Sequence, residues 1–393
     1  MPRIAHFVSH PIQYFAPLYR ALSQSPQIDL TVFFASDFGT KPSFDSGLSK
    51  VVQFDVPLLD GYQHQFLKNS AAVDSGLNLD NFQCPELAQT LQQGQFDLVW
   101  IHGWGHQFQR QVAAAARRVG IPYVLRGEST LLEAPLYSIR WWRRWWKHRS
   151  ILRHAAACWY VGIRNREFLT SMGVENNRLF PAHYSVDTEF FAQRLLPLHE
   201  RACMRAGQGV APGDLVVVTI AKLIGRKRVD DVIRAVGACS NSIKLWVLGD
   251  GKDAEMLKEL AERVAPGRVT WFGFTNQQAI PEVLSAADVF VLASDEETWG
   301  LVTNEAMSCG LPAIVSDKVG CGADLVSPGK TGFTYPCGDV PALADCIKKM
   351  FDSRTLAELK AAAKDRVLEH YSVRATAHQI VDATQALCVG KSY

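Results

Sequence analysis

Apolar positions recur along this chain in short β-branched runs, separated by longer stretches with helical spacing. The runs IDLTVFFAS (28–36), FDLVWIHG (96–103), IPYVLRGE (121–128) and CWYVGI (158–163) predict buried strands, and QFQRQVAAAARRVG (107–120) predicts a helix between two of them. Near-continuous apolar strands that alternate with helices point to a parallel sheet covered on both faces. The alternation falters over 186–214, which carries no strand pattern, and then resumes. LVVVTIAKL (215–223), KLWVLGDG (244–251), RVTWFGF (268–274), DVFVLAS (288–294) and LPAIVSD (311–317) predict strands, with helical patterns at 228–239, 254–264, 278–287 and 301–310 between them. The pattern therefore predicts an α/β protein with two similar-sized halves joined near 190–212. In doubly wound sheets ligands sit at the carboxyl ends of the strands, so the expected site is a cleft between the halves.

Composition narrows the class. The 393 residues suffice for two or three domains, and 48% hydrophobic with 20% charged residues is a globular balance. A net charge of only +2 excludes polyanion binding by bulk electrostatics. No apolar run is long enough to span a membrane, and MPRIAHFVSHPIQYF lacks the layout of a signal peptide. The nine cysteines are scattered without a Cys-x-x-Cys pair, which argues against a disulfide framework or zinc site and for a reducing, cytoplasmic setting.

The segment RWWRRWWKHR (140–149) stands apart, with four tryptophans among basic residues. Three readings compete for it: a nucleic-acid patch, a membrane-surface patch, or a helix whose tryptophans are core. At 100° per residue Trp141, Trp142, Trp145, Trp146 and Leu152 fall on one arc, and Arg140, Arg143, Arg144, Lys147 and His148 on the opposite one. Nucleic acid is the weakest reading, because no groove-binding or stacking fold surrounds the patch. Tryptophan with a cationic flank suits the headgroup zone of an anionic leaflet.

The sharpest chemical signal is SDEETWGLVTNEAMSCGLPAIVSD (294–317). A strand ends at Ser294, a loop carries Glu297 and Gly300, and a short helix starts near Leu301 and stops at Gly310 and Pro312. The amides at that helix start, near Leu301 and Val302, suit a phosphate, and Gly300 permits close approach of a ligand to the backbone. Glu305, farther along the helix, offers a carboxylate that can accept two hydrogen bonds from a vicinal diol, and Glu297 can take a second set of hydroxyls.

Together with Glu-Ala-Met-x-Cys-Gly-x-Pro, this Glu-x7-Glu spacing resembles the retaining glycosyltransferases of family 4, which have the GT-B fold of two Rossmann-like domains facing a central cleft. Trp299 stands at the family's aromatic position and Ser308 at its common alanine. LWVLGDG with RVTWFGF, the closing SPGKTGFTYPCGDV, and FDLVWIHGW with His102 at its tip extend the likeness over most of the chain.

The resemblance implies residues 1–190 as an acceptor-binding domain, 191–372 as a nucleotide-sugar-binding domain, and 373–393 as a C-terminal helix that packs back on the first. It implies that Glu305 grips the ribose, that Glu297 contacts the donor sugar, and that Gly300, Leu301 and Val302 approach the sugar and diphosphate. In AKLIGRKRVDD, Lys222 stands for the family's arginine and Lys227 matches its lysine; two cations there would balance the leaving diphosphate. His102 would face the donor sugar and joins Glu297 and Lys227 as a catalytic candidate.

Departures leave the acceptor side open. His10 and Gln13 replace the usual glycine pair, SVD (185–187) replaces Asn-Gly-Val-Asp, and Glu128 stands where members often carry histidine. Arg126 and Glu128 are cleft candidates or an ion pair at a strand end. The resemblance implies a hexosyl transfer with retention, no metal and no cofactor, from a UDP-sugar ahead of a GDP-sugar, to a glycan or lipid-linked acceptor. It also favours peripheral attachment to the anionic inner face of the plasma membrane and no nucleic-acid partner. A non-catalytic nucleotide-sugar-binding subunit and a GT-B epimerase are the alternatives.

Overall fold

The computed structural model describes residues 1–45, 50–68, 79–351 and 353–389. The chain divides into two compact units. One comprises Met1–Ser43, Val56–Ser185 and Val373–Tyr393; the other comprises Phe44–Asp55 and Val186–Ser372. Residues 390–393 of the expected C-terminal helix lie outside the described residues.

The strands in chain order are β1 (Arg3–Val8), β2 (Asp29–Phe34), β3 (Ser43–Asp45), β4 (Lys50–Val52), β5 (Gln63–Phe66), β6 (Leu98–His102), β7 (Tyr123–Gly127), β8 (Ala157–Tyr160) and β9 (Leu179–Pro181). They continue as β10 (Leu215–Ile220), β11 (Ile243–Leu248), β12 (Val269–Gly273), β13 (Val289–Leu292), β14 (Ala313–Ser316) and β15 (Gly332–Tyr335).

The first unit holds a sheet in the order β5-β2-β1-β6-β7-β8-β9. Its strands are parallel throughout. The order reverses between β1 and β6, so that unit's crevice opens beyond Val8 and His102. Sequence patterning passes over β1, an interior strand, because His6 interrupts its apolar run. The structure buries His6 by stacking it on Trp100 and bonding its two ring nitrogens to the Trp100 carbonyl and the Tyr19 hydroxyl. The helix Val373–Val389 packs on the helix Ala16–Ser23 within the same unit.

The second unit holds the parallel order β12-β11-β10-β13-β14-β15. Its core of Val217, Val232, Leu245, Val291, Ile314 and Ile347 is fully excluded from water. Here the reversal falls between β10 and β13, and the loops that leave these two strands carry the phosphate and sugar candidates. The 186–214 stretch without a strand pattern contains two short helices, Thr188–Ala192 and Leu198–Gly207.

Residues 44–55 interrupt the first unit in sequence and belong to the second in space. Asn276 donates to the Gln53 carbonyl at 2.8 Å, and the Gln278 amide to the Asp55 carboxylate at 3.2 Å. No hydrophobic period marks that excursion, because polar loop contacts hold it.

The tryptophan helix spans Ile139–His154, capped by Ser138, whose hydroxyl accepts from the Trp141 amide at 3.1 Å. The structure corrects the two arcs expected of it. The inward row is Trp141, Trp145, His148 and Leu152, at the i, i+4, i+7 spacing of a core-facing stripe. Trp141 is only 5% exposed and donates to the Ser171 hydroxyl at 3.2 Å. The outward row is Ile139, Trp142, Trp146, Arg149 and Arg153. Trp142 and Trp146 are 46% and 67% exposed, and the Arg149 guanidinium lies 4.9 Å from the Trp145 and Trp146 ring centres. Arg144 is half-buried in an ion pair with Glu133. His148 is buried on the core side, where loss of hydration and the nearby Lys147, Arg144 and Arg110 lower its pKa to about 4. Trp141, Arg144, Trp145 and His148 therefore leave the surface patch, and Arg140, Trp142, Arg143, Trp146 and Lys147 remain in it.

Candidate active site

In the second unit, the loops after β10 and β13 are laced together across the reversal of strand order. The Asp295 amide donates to the Arg226 carbonyl at 3.0 Å, and the Arg226 side chain donates to the Glu296 carbonyl at 3.1 Å. Lys227 Nζ donates to the Glu297 carboxylate, with both side chains largely shielded from solvent. Thus the structure brings together the two catalytic candidates of this unit.

Glu297 is fixed from behind as well. Its carbonyl accepts from the Gly320 amide at 2.9 Å. A Cβ at Gly320 would sit 1.9 Å from the Thr298 carbonyl oxygen, so only glycine permits this approach.

Gly300 has φ +98°, and a Cβ there would crowd Leu292 and Glu297 itself. Glycine is required at this position by the left-handed turn and close packing, a different reason from the ligand approach read from the sequence. The turn starts the helix Leu301–Ser308. Leu301 and Val302 occupy its first positions, where amide N–H groups have no acceptor within the helix. The buried Trp299 indole bonds the Asn304 side chain at 3.0 Å and locks the helix start to the preceding loop.

Glu305 is 1% exposed, so it is no solvated surface charge. Gln277, in the loop after β12, donates to its Oε1 at 2.7 Å. Sequence reading passed over Gln277, since a lone glutamine in FTNQQAI carries no spacing signal. Lys222 is half-buried in the turn that follows β10.

In the first unit, His10 and Gln13 follow β1, His102 ends β6, and Arg126 and Glu128 lie at the end of β7. His10 Nδ1 lies 2.9 Å from the Ser9 hydroxyl. Burial lowers its pKa to about 4. Burial, then the nearby Arg126 and His10 charges, lower that of His102 to about 3, so both rings are neutral near pH 7.

Arg126 is 1% exposed and donates to the Ala182 and His183 carbonyls at 3.0 and 2.8 Å. It is a buried brace between β7 and the segment after β9. Glu128 is exposed and hydrogen-bonded to Tyr184. Tyr184 was missed because it lies where the family's Asn-Gly element is absent.

Among the described residues no cluster of three or more His, Cys, Asp or Glu is arranged to hold a metal, and no helix is long and apolar enough to cross a membrane.

The two parallel α/β sheets, each with a reversal of strand order, are those of the GT-B fold. The sequence profile of glycosyl transferases group 1 matches residues 201–366, and that of the glycosyl transferase 4-like domain matches residues 11–184. The chain belongs to this group 1, family 4 set of GT-B glycosyltransferases.

Among sequence relatives, N-acetyl-alpha-D-glucosaminyl L-malate synthase of Bacillus anthracis is 26% identical over 220 residues, 53% of this chain and 57% of that protein. Sulfoquinovosyl transferase SQD2 of Arabidopsis thaliana is 27% identical over 278 residues, 68% of this chain and 52% of that protein. The matched region thus spans little more than half the length of these two relatives. Anabaena Alr3699/HepE, solved in complex with UDP, superposes with a TM-score of 0.76 at 19% identity, covering 98% of this chain and 100% of that one.

Proposed function

We propose that this chain is a retaining, metal-independent hexosyltransferase. It would move a sugar from a nucleoside diphosphate carrier, UDP ahead of GDP, to a hydroxyl of a lipid-linked or cell-surface glycan precursor. The observation that carries this reading is the meeting of Lys227 and Glu297 beside the glycine-started helix, with the buried Glu305 farther along it.

That arrangement offers what a sugar nucleotide requires. Glu305, steadied by Gln277, accepts from the ribose hydroxyls. Lys222, Lys227 and the amides of Leu301 and Val302 neutralise the diphosphate, which takes over the part a metal plays elsewhere. Glu297 accepts from hydroxyls of the transferred sugar, and His102 accepts from another. In the reaction the bond from the anomeric carbon to the phosphate oxygen breaks. The acceptor oxygen bonds to the same face of that carbon, and its proton passes to the departing phosphate.

UDP as the carrier is supported by HepE, solved with UDP and with UDP-glucose. A lipid or glycan acceptor is supported by similarity to SQD2 and to the lipopolysaccharide 1,6-galactosyltransferase of Escherichia coli.

Attachment to an anionic leaflet is supported by the outward row of the tryptophan helix, with Leu136, Tyr137 and Ile139 exposed beside Trp142 and Trp146. Next to Lys147 an open cavity of about 200 Å³ is lined by Arg110, Arg117, Lys147 and Ser150, a setting suited to a phosphate headgroup. On this reading the enzyme works at the inner face of the plasma membrane.

The test is incubation with radiolabelled UDP- and GDP-sugars and a lipid extract. Label entering the organic phase supports the reading. Nucleotide binding without transfer to lipid or glycan acceptors points to a non-catalytic subunit, and conversion of the sugar on its own carrier to an epimerase.

A further inference from the structure

In the first unit, the ends of β6 and β7 and the segment after β9 bring together side chains that the resemblance leaves without a role. Arg126 lies opposite His102 in the strand register. Its bonds to the Ala182 and His183 carbonyls pin residues 182–184. From the C-terminal helix, Thr376 donates to the His183 carbonyl at 3.1 Å, and Gln379 accepts from the His183 amide at 3.0 Å. Tyr184 is thereby held with its ring centre 4.8 Å from the Arg126 guanidinium. Its hydroxyl lies 3.4 Å from His102 Nε2 and is also hydrogen-bonded to Glu128.

Counting protons fixes the direction of these bonds. An ionised carboxylate only accepts, and a tyrosine hydroxyl has one proton to give. Burial and the Glu128 charge push the Tyr184 pKa well above 10, so that proton is present and goes to Glu128. The Tyr184 oxygen then accepts, and His102 Nε2 must donate. A neutral imidazole carries one N–H, so His102 Nδ1 is a bare acceptor. That atom is buried and has no hydrogen-bond partner among the described residues. A buried acceptor left open in this way is suited to a ligand that donates. His6, whose ring centre lies 6.5 Å away, is wired the other way: its Nδ1 donates to the Trp100 carbonyl at 3.1 Å, so its Nε2 accepts from Tyr19.

We propose that Glu128 and Tyr184 are positioning residues that hold His102 as its Nε2–H tautomer and so present Nδ1 to a hydroxyl of the sugar substrate. This rests on the reading of His102 as a sugar contact. A tyrosine and a glutamate that replace the usual Asn-Gly and histidine elements would then act as one device.

The experiment is long-range ¹H–¹⁵N spectroscopy of histidine-labelled protein, paired with transfer kinetics. Wild type should show His102 as one Nε2–H tautomer between pH 5.5 and 8 (roughly the range around an ordinary histidine pKa). Tyr184→Phe keeps the ring and its packing, yet should give mixed tautomers and lower kcat/KM about tenfold, the worth of one hydrogen bond. Glu128→Gln still accepts from Tyr184 and should retain the tautomer largely. An unchanged His102 signature in Tyr184→Phe overturns the positioning role whatever the activity does. A shifted tautomer with unchanged kinetics overturns the sugar contact and leaves the wiring intact.

Discussion

Lys227 and Glu297, seventy positions apart, form an ion pair between the loops that leave β10 and β13. The reversal of strand order makes these two loops neighbours, and the bonds of Asp295 and Arg226 hold them so. The pair sets a cation directly beside a carboxylate, the two groups proposed above for the diphosphate and the sugar.

Removing either partner should therefore damage transfer far more than folding. Lys227→Met is expected to lower kcat by about 10²–10³, the usual cost of losing one preorganised electrostatic contact. Glu297→Gln should lower turnover while UDP binding stays nearly intact. Because the residues touch, the double mutant should lose less than the product of the single losses. Steady-state rates for the four proteins check this, and strictly multiplicative losses would count against a working pair.

Glu305→Ala should weaken binding of UDP itself, by about 1.5–3 kcal/mol, or roughly ten- to 150-fold, for hydrogen bonds to a charged group. Gln277→Leu should blunt discrimination between UDP and its 2′-deoxy analogue, since the carboxylate loses the bond that orients it. Calorimetry with both nucleotides measures the two effects, and equal affinities across wild type and variants would remove the ribose assignment.

Transfer should persist in excess chelator. The proposed mechanism assigns the charge it would need to Lys222, Lys227 and the start of the helix Leu301–Ser308. Activity lost in chelator and restored by manganese would show that these groups do not suffice.

The tryptophans should separate into two classes. Trp142→Ser with Trp146→Ser is expected to reduce flotation with anionic vesicles and leave thermal stability nearly unchanged, given their exposure. Trp141→Ala should instead destabilise the protein by about 3–5 kcal/mol, as a buried aromatic with a hydrogen-bonded indole. Flotation with and without 0.5 M salt (about a 4 Å screening length) tests the Arg140, Arg143 and Lys147 contribution, and salt-insensitive flotation would argue against it.

Stability should fall on the acid side. His102, at about 3, and His10 and His148, at about 4, all lie below the ordinary 6.5, because burial disfavours their charged forms. Below pH 6.5 the unfolded chain takes up protons that the folded chain refuses, while above it these groups add no slope. Each contributes up to about 1.4 kcal/mol per pH unit as pH drops toward its folded value. Urea midpoints should be lower at pH 5 than at pH 7.5, and His148→Gln should show a shallower drop. Identical slopes in the two proteins would contradict a buried neutral His148.

The sequence by itself determined the architecture of the second unit and the strand–loop–helix turn that carries Glu297, Gly300 and Glu305. Apolar runs long enough to be buried strands, helix stops at Gly310 and Pro312, and the Glu297–Glu305 spacing are local signals, readable because a strand–loop–helix turn is built from adjacent residues. Tertiary structure decided what depends on distant partners. It made an interior strand of β1 despite His6 by supplying Tyr19 and Trp100 as hydrogen-bond partners. It carried residues 44–55 into the second unit through polar contacts that leave no period in the sequence. In the tryptophan helix, adjacent tryptophans read alike in one dimension. Only the direction of the core, toward the row Trp141, Trp145, His148 and Leu152, determined which are buried and which face solvent. Gln277 and Tyr184 stayed hidden for the same reason, since each acquires its role from a residue that the fold, and not the chain, places beside it.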